Sequence, residues 1–164
     1  MNSLKLQLAG YLAHKLPLTR CFGLKRALYK WAGVNIGKNV RIVSSAKIVG
    51  NGTLSIGDNT WIGHDVLIVC SDTIKIGANC DIAPRVYIGN GTHVIDPSSA
   101  NVAGKGLSLP INIGDGCWLC VNSTILPGAK IGNKSIIAAG AIIKGEVPSF
   151  ELWGGVPAKK IRLL

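Results

Sequence analysis

The sequence predicts an all-β fold: a single-stranded parallel β-helix of about five triangular coils, with a short helical N-terminal cap and one protruding loop. Three observations lead there. Aliphatic residues recur every six positions through most of the chain. Hydrophobic residues make up 48% of it but aromatics only 5%, so aliphatic side chains must fill the core. The six-residue rhythm fails once, between Val94 and Asn112, in a stretch rich in Ser, Gly and Asn that reads as a loop. The 164 residues fit one solenoid, divided as a helical cap over residues 1–31, the β-helix over 32–148 with its insertion at 95–112, and a tail over 149–164.

The cap comes first. Leu4, Leu8, Tyr11 and Leu12 share one face of a helix that Pro17 should end, and a second helical stretch, Leu24–Trp31, carries Lys25, Arg26 and Lys30 on its other sides. Two roles are open to this segment: a lid over the first coil, or a basic amphipathic element that touches lipid. It shows no apolar run long enough to span a bilayer and no signal-peptide pattern, so a cytoplasmic protein is expected, at the inner face of the membrane if lipid contact holds.

The repeat begins at Ile36 with IGKNVR, IVSSAK and IVGNGT. After Leu54–Ser55 follow IGDNTW, IGHDVL and IVCSDT, and after Ile74–Lys75 come IGANCD, IAPRVY and IGNGTH. The register resumes at Ile113 and runs to Pro148, for 15 hexads in all, every one starting with Ile or Leu. The fifth places hold small or modest residues, Asp72 being the one carboxylate among them. A period of six suits neither an amphipathic helix nor an exposed strand, but three six-residue sides close a triangle. The leading aliphatics would stack as an inner ladder, the fifth places would fill the corners, and the glycines found at seven second places would ease the turns.

Lys+Arg is 18 against 8 Asp+Glu, a formal charge of +10. Such a balance suits an anionic partner, and with no nucleic-acid motif beside it, DNA and RNA are not expected. The odd count of five cysteines argues against a disulfide framework. Cys117 and Cys120 form a C-x-x-C without a second ligand pair at zinc spacing, so no metal site is expected.

The segments THVIDP (Thr92–Pro97), GDGCW, ILPGAKIG, AAGAIIK and GGVPAKKIR together resemble the hexapeptide-repeat O-acetyltransferases, in the branch holding the maltose, galactoside, nodulation-factor and surface-polysaccharide enzymes. The resemblance spans residues 36–162 and implies a left-handed β-helix, although ordinary parallel crossovers are right-handed. It also implies transfer of an acetyl group from acetyl-CoA to a sugar hydroxyl, within a homotrimer whose sites lie between subunits. An alcohol is a poor nucleophile at neutral pH and needs a base as it attacks a thioester. His93 is the candidate base, standing at the last place of a rigid coil with the loop beyond it, and Asp96 or a backbone carbonyl is the group that would fix its tautomer.

For the cosubstrate the resemblance implies Trp118 beside the reacting centre, Ala139 and Gly140 against the CoA chain, and Lys144 near a CoA phosphate. Lys159, Lys160 and Arg162 would pair with the nucleotide phosphates, and Ser123 or backbone N–H groups would face the thioester oxygen. His64, Asp65 and Asp72 would help hold the acceptor. Cys120 departs from the family pattern, which has glycine there. A surface glycan is the expected acceptor, and N-acylation of an amino sugar or a noncatalytic β-helix scaffold are the other readings.

Overall fold

Hexads with an aliphatic first residue fold here as short strands joined by tight corners, and the computed structural model, which describes all residues from Met1 to Leu164, shows them stacked as a left-handed parallel β-solenoid. Its three faces are sheets of six, seven and five strands. The first face runs from Asn35–Ile36 to Glu146–Val147, the second from Arg41–Ile42 to Ala158–Leu163, and the third from Lys47–Val49 to Ile142–Ile143. Five complete coils result. A partial sixth follows, because Glu151–Gly155 joins the second face in parallel register, Ile137 opposite Trp153, so the solenoid extends past residue 148 into the expected tail. Ala158–Leu163 then folds back antiparallel on that strand.

The interior is the predicted aliphatic ladder. Ile42, Ile62, Ile82, Leu119 and Ile137 all have no exposed surface and stack within one core cluster of 34 residues. Burying each such side chain contributes about 1.5–3 kcal/mol, and a coil left alone would expose this surface on both sides. Trp153 continues the ladder below, while Met1 and Leu28 pack on its upper end.

Two features of the repeat differ from expectation. The corner residues with positive φ stand at the fourth place of the hexad: Asn39, Asn59 and Asn79 line one corner, and Asp65, Arg85 and Asn122 another. Asn and Asp tolerate the left-handed region better than most residues, and Asn59 further donates its side-chain amide to Asn79 Oδ1 at 3.1 Å. The second-place glycines serve packing between coils. A Cβ on Gly77 would stand 2.6 Å from the carbonyl carbon of Gly114, and one on Gly57 would collide with the backbone nitrogen of Ala78. Second, the fifth-place rule fails at the corner after the third face. There the first residue of each pair outside the hexads points inward, Leu54 and Ile74 being fully buried, while Asp72 is exposed and accepts a hydrogen bond from its neighbour Thr73. The expected inward carboxylate therefore does not exist, because the eight-residue side swings it out.

The cap consists of α1 (Ser3–His14) and α2 (Phe22–Trp31). Asn2 caps α1 by accepting from the Lys5 N–H, and the helix ends three residues before Pro17. α1 packs through Leu6, Ala9 and Ala13, spaced i, i+3, i+7, so the face shared by Leu4, Leu8, Tyr11 and Leu12 is the one left outside. Between the helices and the first coil, Lys25 donates to the carbonyls of Pro17 and Leu18 at 2.8 Å each. Tyr29 is buried beneath them, which pushes its phenol up to about 12. No helix is long and apolar enough to cross a membrane.

Candidate active site

Where the rhythm fails, the chain leaves the third coil as a two-stranded antiparallel arm, Gly91–Ile95 against Ala103–Ser108. The expected structureless loop is thus an ordered ribbon. It is rooted by Asn90, the last buried residue of the coil. The Asn90 side chain accepts from the Ser71 N–H at 2.8 Å and donates to the Thr73 carbonyl at 3.2 Å, while its own carbonyl receives the Leu109 N–H at the other root of the arm. A buried amide with both ends satisfied holds the two roots against the second coil.

His93 lies on the arm, exposed, and not inside the rigid coil as its hexad place suggested. Its cross-strand partner is Gly106, which offers no side chain to crowd the imidazole. Asp96 does not reach it. Its Oδ1 accepts from the Ser98 N–H at 3.1 Å and the Ser98 hydroxyl at 2.6 Å, bonds that hold its carboxyl below the ordinary aspartate value and stabilise the tip of the arm. The His93 imidazole makes no hydrogen bond within the chain, so both ring nitrogens are free for a ligand or a neighbouring molecule.

A cleft of about 340 Å³ opens beneath the arm. Thr92, His93 and Ile95 of the arm line it together with Leu109, Leu126, Pro127 and Lys144, so its lining is largely apolar with one imidazole and one ammonium group. Of the residues inferred from sequence, only His93 and Lys144 meet here. Leu126 and Pro127 of the apolar lining belong to ILPGAKIG, but nothing in that segment alone distinguishes it from an ordinary corner; only the arm, with Ile95 on its strand and Leu109 at its root, makes it part of a cleft.

The others lie elsewhere on the prism. Trp118 is half-exposed on the second face, in register between Asp81 and Ile136. Ala139 and Gly140 form an open turn at the corner after that face, where the Gly140 N–H donates to Val121 and φ is +69°. His64 and Asp65 occupy the same corner three coils above, and Asp65 is the exposed left-handed residue there. Lys159 and Arg162 are exposed on the final strand, whereas Lys160 is tied to Glu151 at 2.6 Å. Ser123 has no exposed surface and its Oγ has no partner, so this hydroxyl faces the solenoid interior and is closed to a ligand outside. The Cys117 thiol also points inward, donating to the Gly132 carbonyl at 3.1 Å, while Cys120 is half-buried at the corner.

Models of hexapeptide repeats match two segments: the bacterial transferase hexapeptide over residues 110–145, and the hexapeptide repeat of succinyl-transferase over residues 53–92. WcaF of Escherichia coli (strain K12), an acetyltransferase named for colanic acid biosynthesis, is 33% identical over 144 residues, which cover 84% of this chain and 77% of WcaF. The chain belongs to the hexapeptide-repeat transferases. A second member, the galactoside O-acetyltransferase of the same organism, is 30% identical over 84% of this chain and 68% of its own length. Among solved structures, a galactoside acetyltransferase in complex with coenzyme A superposes with a TM-score of 0.84 at 26% identity, over 98% of this chain and 80% of that one. As a hexapeptide-repeat transferase, the chain sets a histidine-bearing arm over a largely apolar cleft that one lysine also lines, an arrangement suited to a ligand with both apolar and anionic parts.

Proposed function

We propose that the chain is an acetyl-CoA-dependent O-acetyltransferase that acetylates a sugar hydroxyl in the assembly of a surface polysaccharide. The observation that carries this reading is that His93 and Lys144 line one largely apolar cleft. The likeness to WcaF and to a galactoside O-acetyltransferase supports the sugar acceptor, and the coenzyme A complex of the superposable acetyltransferase supports the cosubstrate.

The neutral His93 imidazole accepts the hydroxyl proton as the sugar oxygen attacks the thioester carbon. Negative charge gathers on the carbonyl oxygen in the tetrahedral intermediate, and backbone N–H groups take the role that buried Ser123 cannot fill. Collapse breaks the C–S bond, and the imidazolium returns its proton to the departing thiolate. The apolar lining of Leu109, Leu126 and Pro127 suits a pantetheine chain, and Lys144 an oxygen of its phosphate.

The site becomes whole between subunits of a homotrimer. Within one chain His93 projects from the corner after the third face, whereas Trp118, Ala139, Gly140, His64 and Asp65 belong to the second face and its far corner. Threefold packing that sets one corner against the neighbour's second face unites the two groups, and lets a neighbouring group orient the free imidazole nitrogen.

Purified protein incubated with acetyl-CoA and a panel of free and lipid-linked glycans should release thiol and yield an acetyl ester. His93→Ala should lower turnover by roughly 10²–10⁴-fold without changing the melting temperature, since the side chain is exposed. Thiol release that survives unchanged in His93→Ala would remove the histidine from the mechanism. Absence of acetyl-CoA binding would instead favour a noncatalytic scaffold.

A further inference from the structure

Half of the cations of this chain, and none of its carboxylates, lie at one end. Residues 1–57 contain nine Lys and Arg and not one Asp or Glu, a formal +9, whereas residues 58–164 contain nine cations against eight acids, a formal +1. The first set builds α1, α2, the first coil and the first strand of the second, so the charge sits on the capped end of the prism.

The same end exposes apolar side chains in a pattern. Leu4, Leu8 and Tyr11 follow i, i+4, i+7 spacing on α1, directly opposite the packed stripe of Leu6, Ala9 and Ala13, and are 77%, 47% and 61% exposed. Trp31, at the end of α2, is 50% exposed and lies beside the start of α1, with the Lys5 ammonium 5.2 Å from its ring centroid. Lys15 stands in the same way over Tyr11, at 5.4 Å. The helix is therefore apolar on two sides, one used by the core and one unused. Nothing in the packing of the cap needs the second side.

We propose that this end of the molecule is a docking face for an anionic phospholipid surface. Leucines flanked by an indole, a phenol and long cationic side chains match the boundary between headgroups and acyl chains, where Trp and Tyr settle and Lys and Arg reach outward to phosphate. A second copy of the chain is a poor occupant, because the exposed cations of this end would meet their own kind with no carboxylate to offset them. A nucleic acid would use the cations but leave Leu4 and Leu8 without a partner. The inference is independent of acetyl transfer, since it uses no residue of the cleft.

The test is flotation of the full-length protein with phosphatidylcholine vesicles, with and without about 30% phosphatidylglycerol, at low salt and at about 0.5 M NaCl. Bound protein should be roughly tenfold higher on the anionic vesicles and fall with salt. Leu4→Ser with Leu8→Ser, and separately Lys5→Glu with Lys30→Glu, should each lower binding roughly tenfold while thermal melts and thiol release with a soluble acceptor stay as in wild type. Equal capture by neutral and anionic vesicles, or by neither, overturns the proposal. So does vesicle binding that the leucine pair leaves intact while heparin competes for it fully, which would reduce the face to a bare charge patch. A loss of oligomer mass in the leucine variant would assign the face to a second copy and overturn it too.

Discussion

At the scale of single residues, the deciding separation is between His93 and Asp96. The motif places them three apart, and a triad-like partnership is the natural expectation, yet the carboxylate is spent on Ser98 at the tip of the arm. Asp96→Ala should therefore loosen the tip and lower kcat by less than about tenfold, well short of the loss in His93→Ala. Equal losses in the two variants would restore Asp96 as the orienting group. Gly57 gives a second test. A methyl there meets the backbone of the next coil, so Gly57→Ala should destabilise the chain by about 1–3 kcal/mol in chemical denaturation, although the φ of this residue is ordinary. Unchanged stability would mean that the coils can move apart.

At the scale of elements, the arm and the final hairpin are the two departures from parallel winding, and each is pinned by polar groups. In the hairpin, Glu151 accepts from Lys160 at 2.6 Å and from the Trp153 indole at 2.7 Å, and the lysine chiefly draws its carboxyl below the ordinary glutamate value. A carboxylate whose folded value is lowered contributes stability above its unfolded value and loses it as pH falls through the folded one. Glu151→Gln should accordingly melt lower than wild type at pH 7, and the gap should close once acid protonates the wild-type glutamate; a gap that persists in acid would refute the linkage.

The elements also mark where sequence was legible. The ladder of Ile and Leu, the helical cap and the site of the interruption all follow from period and composition, because each depends on burial that repeats locally. Three features do not follow: the rooting by Asn90 depends on groups one coil away, the ribbon form of the arm on pairing across its tip, and the outward swing of Asp72 on the two extra residues that lengthen its side. The fourth-place Asn residues were visible in the sequence, but glycine was read as the turn former and masked them.

At the scale of the molecule, one chain presents His93 and the Trp118 group on different faces, and the proposed threefold packing can be tested through that separation. A mixture of His93→Ala and Trp118→Ala subunits, unfolded and reassembled together, should recover activity that neither variant has alone, at most about a quarter of wild type if assembly is random. No recovery would confine each site to a single subunit. The capped end that repels its own copy is compatible with side-by-side threefold packing, which leaves all three caps facing the same way.

The arm leaves from the third coil, and coils in such a stack repeat at about 4.8 Å, the spacing of neighbouring strands. His93 thus stands a countable number of rungs from the capped end. The arm is rooted on the second coil and its cleft is lined from the third onward, so duplicating the first coil would move His93 along the axis by one rung and leave its cleft intact. The stack works as a ruler. The height of the arm below the cap can be reset by whole steps without redesigning the cleft.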